Sequence, residues 1–218
     1  MEDIAIYGAG GFGRETACLI KAINDVKLQW RIIGFFDDGL IKGSSNPFGE
    51  ILGGIDELNA WSKPLSIVIA IGTPIIIKKI TSQIKNQNIK FPNIIAPDVL
   101  FFDHESMVMG YGNVIGFRSR ISCNVRLGNF NLLNNDLLIG HDSSMSDFNM
   151  INPSVRIAGE VTIGNTNFFG MSCIVLQQKN IGNGITVSAN SVVMRDTEDD
   201  SVYIGNPAVK IKNLISKT

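Results

Sequence analysis

From Met109 to Val193 every sixth residue is apolar: Met109, Ile115, Ile121, Leu127, Leu133, Ile139, Met145, Ile151, Ile157, Ile163, Phe169, Val175, Ile181, Val187 and Val193. With 44% hydrophobic residues in the chain, an unbroken run of this kind has a chance probability on the order of one in 200,000 in a given register, so it is a repeat. A period of six fits neither a helix nor a simple alternation. It fits a triangular parallel β-solenoid in which each hexapeptide makes one short strand and one corner, three to a coil. Positions one coil apart then stack, with strands about 4.8 Å apart, and the series supplies about five coils. The residue after each core position is Gly at 110, 116, 128, 140, 164, 170 and 182, and mostly small elsewhere. The expectation is that this small residue permits the tight turn. Handedness does not follow from the period.

Residues 1–92 read differently. Ile4-Ala-Ile-Tyr7 forms a short apolar run, followed by Gly8-Ala9-Gly10-Gly11-Phe12-Gly13 and a helical pattern through Ile23. A second strand, Trp30 to Phe36, ends at Asp37-Asp38. A third, Ser66 to Ile71, leads through Gly72-Thr73 to Pro74, which opens a helix reaching about Lys85. This alternation predicts an α/β domain with a small parallel sheet. Gly8, Gly10 and Gly13 satisfy G-x-G-x-x-G between a strand and a helix, where backbone N–H groups can receive a phosphate. The acid pair follows where a carboxylate could accept ribose hydroxyls. About 90 residues are too few for two complete βαβαβ halves. The expected domains are therefore 1–92, Rossmann-like and nucleotide-binding, and 93–218, the solenoid with a C-terminal cap.

Nineteen basic and twenty acidic side chains give a formal charge of −1 and no polycationic segment, which excludes nucleic acid or an anionic membrane as the main partner. Cys18, Cys123 and Cys173 are far apart and form neither a metal spacing nor a disulfide framework. Together with a start, Met-Glu-Asp-Ile, that lacks the basic region of a signal peptide, this leads us to expect a cytoplasmic protein. No apolar run reaches the roughly 18 residues of a membrane span.

Gly8 to Glu15, the hexapeptide array with Gly140-His141-Asp142, and Gly205-Asn206-Pro207-Ala208 together resemble the NeuD/PglD-like sugar acetyltransferases, over nearly the whole chain. The resemblance implies a left-handed β-helix, a homotrimer with intersubunit sites, acetyl-CoA as donor, and a nucleotide-linked amino sugar as acceptor in bacterial surface-glycan biosynthesis. Gly10, Gly11, Phe12, Gly13, Asp37, Asp38, Gly72 and Thr73 are the expected sugar-nucleotide contacts.

Acetyl transfer to an amine needs a base and donors for an oxyanion. Near-neutral base chemistry points to histidine, and the chain has only His104 and His141. His141 follows corner Gly140 and projects from a turn, and Asp142 could orient its ring. In the resembled family this histidine is the general base. Relatives often carry Glu where Asp142 stands, and the shorter side chain leaves its reach to the ring open. Gly159, one coil beyond His141, matches the family's oxyanion glycine. Asn134 matches a residue near the acceptor amine, and Met171 and Ala189 match positions lining the CoA tunnel. Lys210 and Lys212 follow the C-terminal motif, which is expected to cap the solenoid, with Lys210 near the CoA phosphate. Some relatives have a second histidine where this chain has Met150, a residue that cannot make that histidine's polar contact. His104 reads as a capping or surface residue, and two histidines without a third clustered ligand predict no metal site.

The leading expectation is N-acetylation of a nucleotide-linked 4-amino-4,6-dideoxy sugar, with His141 as base. The alternative is O-acetylation of a sialic acid or related sugar. A nucleotide-binding oxidoreductase would leave the hexapeptide array unexplained. A purely structural array would want a ladder of identical outward Thr or Ser, which is lacking.

Overall fold

The structure is a computed structural model and describes residues 1–213. Positions 214–218 of the expected second domain lie outside the described residues. Two compact units divide the chain, 1–97 and 98–218.

In the first unit the elements are β1 (Glu2–Tyr7), α1 (Gly11–Val26), β2 (Trp30–Phe36), β3 (Ser45–Asn46), β4 (Gly49–Gly53), α2 (Ile55–Asn59), β5 (Leu65–Ile69), α3 (Pro74–Gln83) and β6 (Ile89–Lys90). Ile4 to Tyr7 are apolar without alternation, the pattern of a strand buried on both faces, and each is at most 1% exposed. They place β1 at the centre of a sheet ordered β3-β4-β2-β1-β5-β6. All its pairings are parallel except β3 with β4. α1 buries Thr16, Ala17, Leu19 and Ile20, and Pro74 stands in the first turn of α3.

The three strands and two helices expected from the sequence are present. β5 ends at Ile69, short of the expected end at Ile71. β3, β4 and α2 have no counterpart among the expected elements: the three glycines, one asparagine and one proline between Ser45 and Gly54 mask β3 and β4, and α2 is only five residues long. β4 exists because the outer edge of β2 offers unpaired backbone groups.

The second unit is a parallel solenoid of two-residue strands, which we describe by three faces. The first carries Val114–Ile115, Leu132–Leu133, Met150–Ile151, Phe168–Phe169 and Thr186–Val187. The second carries Arg120–Ile121, Leu138–Ile139, Arg156–Ile157, Ile174–Val175 and Val192–Val193. The third carries Arg126–Leu127, Ser144–Met145, Thr162–Ile163 and Asn180–Ile181. They belong to sheets of eight, six and five strands respectively. Pairing skips two hexapeptides each time, joining Ile121 to Ile139 and Ile139 to Ile157, so one coil is three hexapeptides long. From Ile115 onward each residue of the six-residue series is at most 4% exposed, whereas Met109 in the first coil is half-buried.

The corners correct one expectation. Left-handed backbone recurs at every sixth position from Gly112 to Asn190, with φ between 53° and 69°. It lies three positions after each core residue, and residues such as Arg118, Phe130 and Asp142 adopt it. The small residue directly after the core position does not make the turn. It is small because the next coil lies against it: a Cβ on Gly140 would come 2.5 Å from Ala158 C and Gly159 N. Close approach of backbones, not backbone freedom, sets glycine there.

Between the third and first faces, asparagines form two ladders. Inside, Asn113, Asn131, Asn149 and Asn167 are fully buried, and each Oδ1 accepts the N–H one coil on, ending at Ile185. Outside, Asn129, Asp147, Asn165 and Asn183 do the same in the opposite direction, each N–H donating to the next carbonyl or carboxylate. Asn180 and Asn183 donate to Asp196 and Asp199, less than a full coil further on, so the last coil is shortened and the period stops at Val193. Strands Ser201–Ile204 and Val209–Asn213 then form an antiparallel pair. No helix among the described residues is long and apolar enough to cross a membrane.

Candidate active site

The corner between the second and third faces carries His141. Strand Leu138–Ile139 anchors it through the core, and the left-handed Asp142 (φ 57°) turns the chain beside it. Asp and Asn tolerate that conformation better than other residues with a side chain. The carboxylate reaches the ring, with Nδ1 of His141 2.7 Å from Oδ2 of Asp142. Both side chains are about half exposed, at 54% and 48%. A carboxylate only accepts, so this bond puts a proton on Nδ1 and leaves Nε2 of the neutral ring as the basic atom. The other oxygen, Oδ1, accepts the Asn124 amide at 2.9 Å. The His141 hydrogen bond, then the Asn124 amide, hold the Asp142 carboxyl below the usual carboxylate range.

Nε2 lies over Gly159. A Cβ built on Gly159 would sit 2.6 Å from Nε2 and 2.7 Å from Cε1, nearer than real Cβ contacts allow. Glycine is therefore required by the ring above it rather than by its own φ. The flanking N–H groups of Ala158 and Glu160 donate to Val175 O and His141 O. The Gly159 N–H has no partner among the described residues, so the residue under the ring keeps a free backbone donor.

The structure does not bring the other expected solenoid residues to this corner within one chain. Asn134, Met171 and Ala189 lie at the corner between the first and second faces, at the opposite edge of the second face. Met171 is 55% exposed there, and Ala189 stacks one coil beyond it. Met150 is buried on the first face, away from His141. Lys210 forms an ion pair with Glu198 at 2.6 Å, and the side chain of Lys212 lies outside the described ones. His104 is exposed, its ring 4.4 Å from that of Phe101. Burial pushes the Cys173 thiol up to about 12, which removes it as a nucleophile.

In the first unit the glycine motif divides into two roles. Gly8 has φ 105°, and a Cβ on Gly13 would meet Gly8 O at 1.8 Å, so these two serve the turn itself. A Cβ on Gly10 or Gly11 would meet nothing within 4 Å, leaving their backbone open at the start of α1. Phe12, beside them, is half-buried. Asp37 accepts the N–H groups of Ala9 and Gly39, at 2.8 and 2.9 Å. Asp38 accepts the Tyr7 hydroxyl at 2.7 Å and the Ile55 N–H at 2.8 Å. Burial, then Asp38, pushes the Tyr7 hydroxyl up. An open cavity of about 320 Å³ lies against Asp37, Asp38, Leu40, Lys42 and Gly53. Gly72 and Thr73 are exposed ahead of α3, where the Thr73 carbonyl accepts the N–H groups of Ile76 and Ile77.

Sequence reasoning missed Tyr7 and Asn124. Asn124 had a signal in the period, since it stands one full coil before Asp142.

Residues 3–84 match the PglD N-terminal domain family, and no curated protein matches the chain. The acetyltransferase domain of PglB from Neisseria gonorrhoeae FA1090 superposes with a TM-score of 0.86 at 28% identity, over 97% of this chain and 100% of that one. A histidine-to-asparagine variant of perosamine N-acetyltransferase from Caulobacter crescentus, in complex with CoA and GDP-perosamine, gives 0.87 at 20% identity, over 97% and 98%. WeeI from Acinetobacter baumannii AYE gives 0.86 at 21%, over 97% and 100%. At 20 and 21% the likeness is one of fold. The resemblance to NeuD/PglD-like sugar acetyltransferases is borne out.

Proposed function

We propose that this NeuD/PglD-like chain transfers acetyl from acetyl-CoA to the amino group of a nucleotide-linked 4-amino-4,6-dideoxy sugar. The observation that carries the reading is His141, held by Asp142 at Nδ1 with Nε2 packed over Gly159. In this reaction Nε2 takes the proton of the amine as its nitrogen attacks the thioester carbonyl carbon. The Gly159 N–H donates to the oxygen that becomes negative. The C–S bond breaks, and the imidazolium returns the proton to the departing thiolate, so that CoA leaves as the thiol. Asp142 stabilises the intervening imidazolium.

The open backbone at Gly10 and Gly11 ahead of α1 suits the phosphates of the sugar nucleotide, in a domain we take as Rossmann-like. The solenoid is left-handed in this reading. Asn134, Met171 and Ala189 stand at the other edge of the second face from His141, which favours a homotrimer in which one copy supplies the base and the next the CoA-lining corner. The likeness to the Neisseria acetyltransferase domain supports the acetyltransferase class. A cytoplasmic place in bacterial surface-glycan biosynthesis completes the proposal.

The test is thiol release from acetyl-CoA with nucleotide-linked amino sugars and with sialic acid offered in parallel. His141→Asn is expected to lower kcat by roughly 10²–10⁴-fold, the scale of a lost general base, with an unchanged circular dichroism spectrum. Turnover at the native rate in this variant rejects the assignment. Turnover with the sialic acid alone replaces the amine acceptor with a hydroxyl.

A further inference from the structure

A polar column runs along the corner of His141, with Ser106, Asn124 and Asp142 stacked one coil apart. The Asn124 N–H donates to Ser106 Oγ at 2.9 Å, and its side-chain amide donates to Asp142 Oδ1 at 2.9 Å. Asp142 Oδ2 is left for His141 Nδ1 at 2.7 Å. Asn124, like Asp142, is left-handed, with φ 56°, so the two corners superpose and the amide meets the carboxylate directly. Glu160, one coil further, does not join the column: its carboxylate accepts the Gln178 amide.

We propose that Asn124 is a positioning residue for the base, fixing the Asp142 carboxylate so that His141 keeps its proton on Nδ1 and its Nε2 lone pair over Gly159. The physical need comes from exposure. With the carboxylate 48% exposed, nothing buried confines it, and a side chain free to rotate into water would release the ring. An imidazole without an acceptor at Nδ1 carries its proton mainly on Nε2, the atom that must be bare to act as base. The carboxylate's one fixed anchor besides the ring, among the described residues, is the Asn124 amide. Asp142 is the charged group bonded to the ring, and the titratable residues stacked on this corner by coil position are Cys123 before it and Glu160 after it, each joined to it through the backbone. The catalytic consequence rests on the acetyltransferase reading, whereas the tautomer does not.

The experiment is long-range ¹H–¹⁵N correlation of the two histidine rings in the full chain, native and variant, with His104 as internal reference. Asn124→Gly accepts the positive φ and deletes the amide; Asn124→Asp keeps the shape and replaces the donor with a second carboxylate. Both are expected to move His141 from the Nδ1–H to the Nε2–H tautomer, leave His104 unchanged, and lower kcat about tenfold at unaltered KM for acetyl-CoA, the scale of lost orienting partners. A His141 signature identical to the native one in both variants overturns the proposal. A shifted tautomer in a chain that transfers no acetyl group sustains it and removes the acetyltransferase reading instead.

Discussion

The three atoms nearest a methyl group on Gly159 all belong to the imidazole above it, the first being Nε2 at 2.6 Å. The ring is the yielding partner, because it is a half-exposed side chain that can rotate outward. Gly159→Ala is therefore expected to leave the melting temperature nearly unchanged while lowering kcat by about tenfold or more, as misplacement of a base does. Equal kcat in variant and native chain would show that Nε2 does not work from this position. His141 is legible in the sequence because the chain has two histidines and one follows a corner glycine. The reach of Asp142 is not: it depends on the left-handed φ at residue 142, and that conformation is set by where the corner falls, three positions after the core residue. Asn124 is harder still, since nothing near it in sequence is chemical. Its partner lies a whole coil away.

The element that holds the coils in register is the buried asparagine ladder. Asn149 Oδ1 accepts the Asn167 N–H at 3.0 Å, and its amide donates to Asn131 Oδ1 at 3.0 Å, with no exposure. Truncating it leaves the buried Asn167 N–H without an acceptor, takes one donor from Asn131 Oδ1 and opens a void, the first of these alone costing about 1–3 kcal/mol. Asn149→Ala is thus expected to destabilise the solenoid by about 2 kcal/mol or more in denaturant unfolding. A loss well below about 1 kcal/mol would mean that water replaces the amide. The bulky left-handed residues of the same corner offset their strain by packing. The Phe130 and Phe148 rings stack at 5.5 Å and 3°. The six-residue apolar series reveals the inward column of this element, but not the ladder. Its asparagines occupy every third hexapeptide only, so they recur once per coil and vanish in a search for six. In the first unit the reverse holds: β1, β2 and β5 are legible from apolar runs, while β4 depends on an edge supplied by β2.

At the scale of the whole solenoid the three corners differ in chemistry. One carries His141, the proposed base, and the Gly159 N–H that has no partner among the described residues, one the asparagine ladders, and one Asn134, Met171 and Ala189. The first and last of these flank the same six-stranded sheet. If each site in a trimer joins unlike corners of neighbouring copies, two inactive variants repair one another. His141→Asn and Ala189→Trp, each inactive alone, are expected to regain roughly a quarter of native activity after mixed refolding, from sites formed with both intact corners. No recovery from mixtures shown by mass to contain both chains would place the site within one copy. The sequence by itself determined the solenoid, its coil length, the α/β domain before it and the histidine expected to act as base, because each follows from periodicity or scarcity along the chain. Only the tertiary structure decided which residues meet. Stacking of successive coils brings Asn124, Asp142, His141 and Gly159 into contact and sends Met171 to another edge, a result of coil closure in space that no local spacing records.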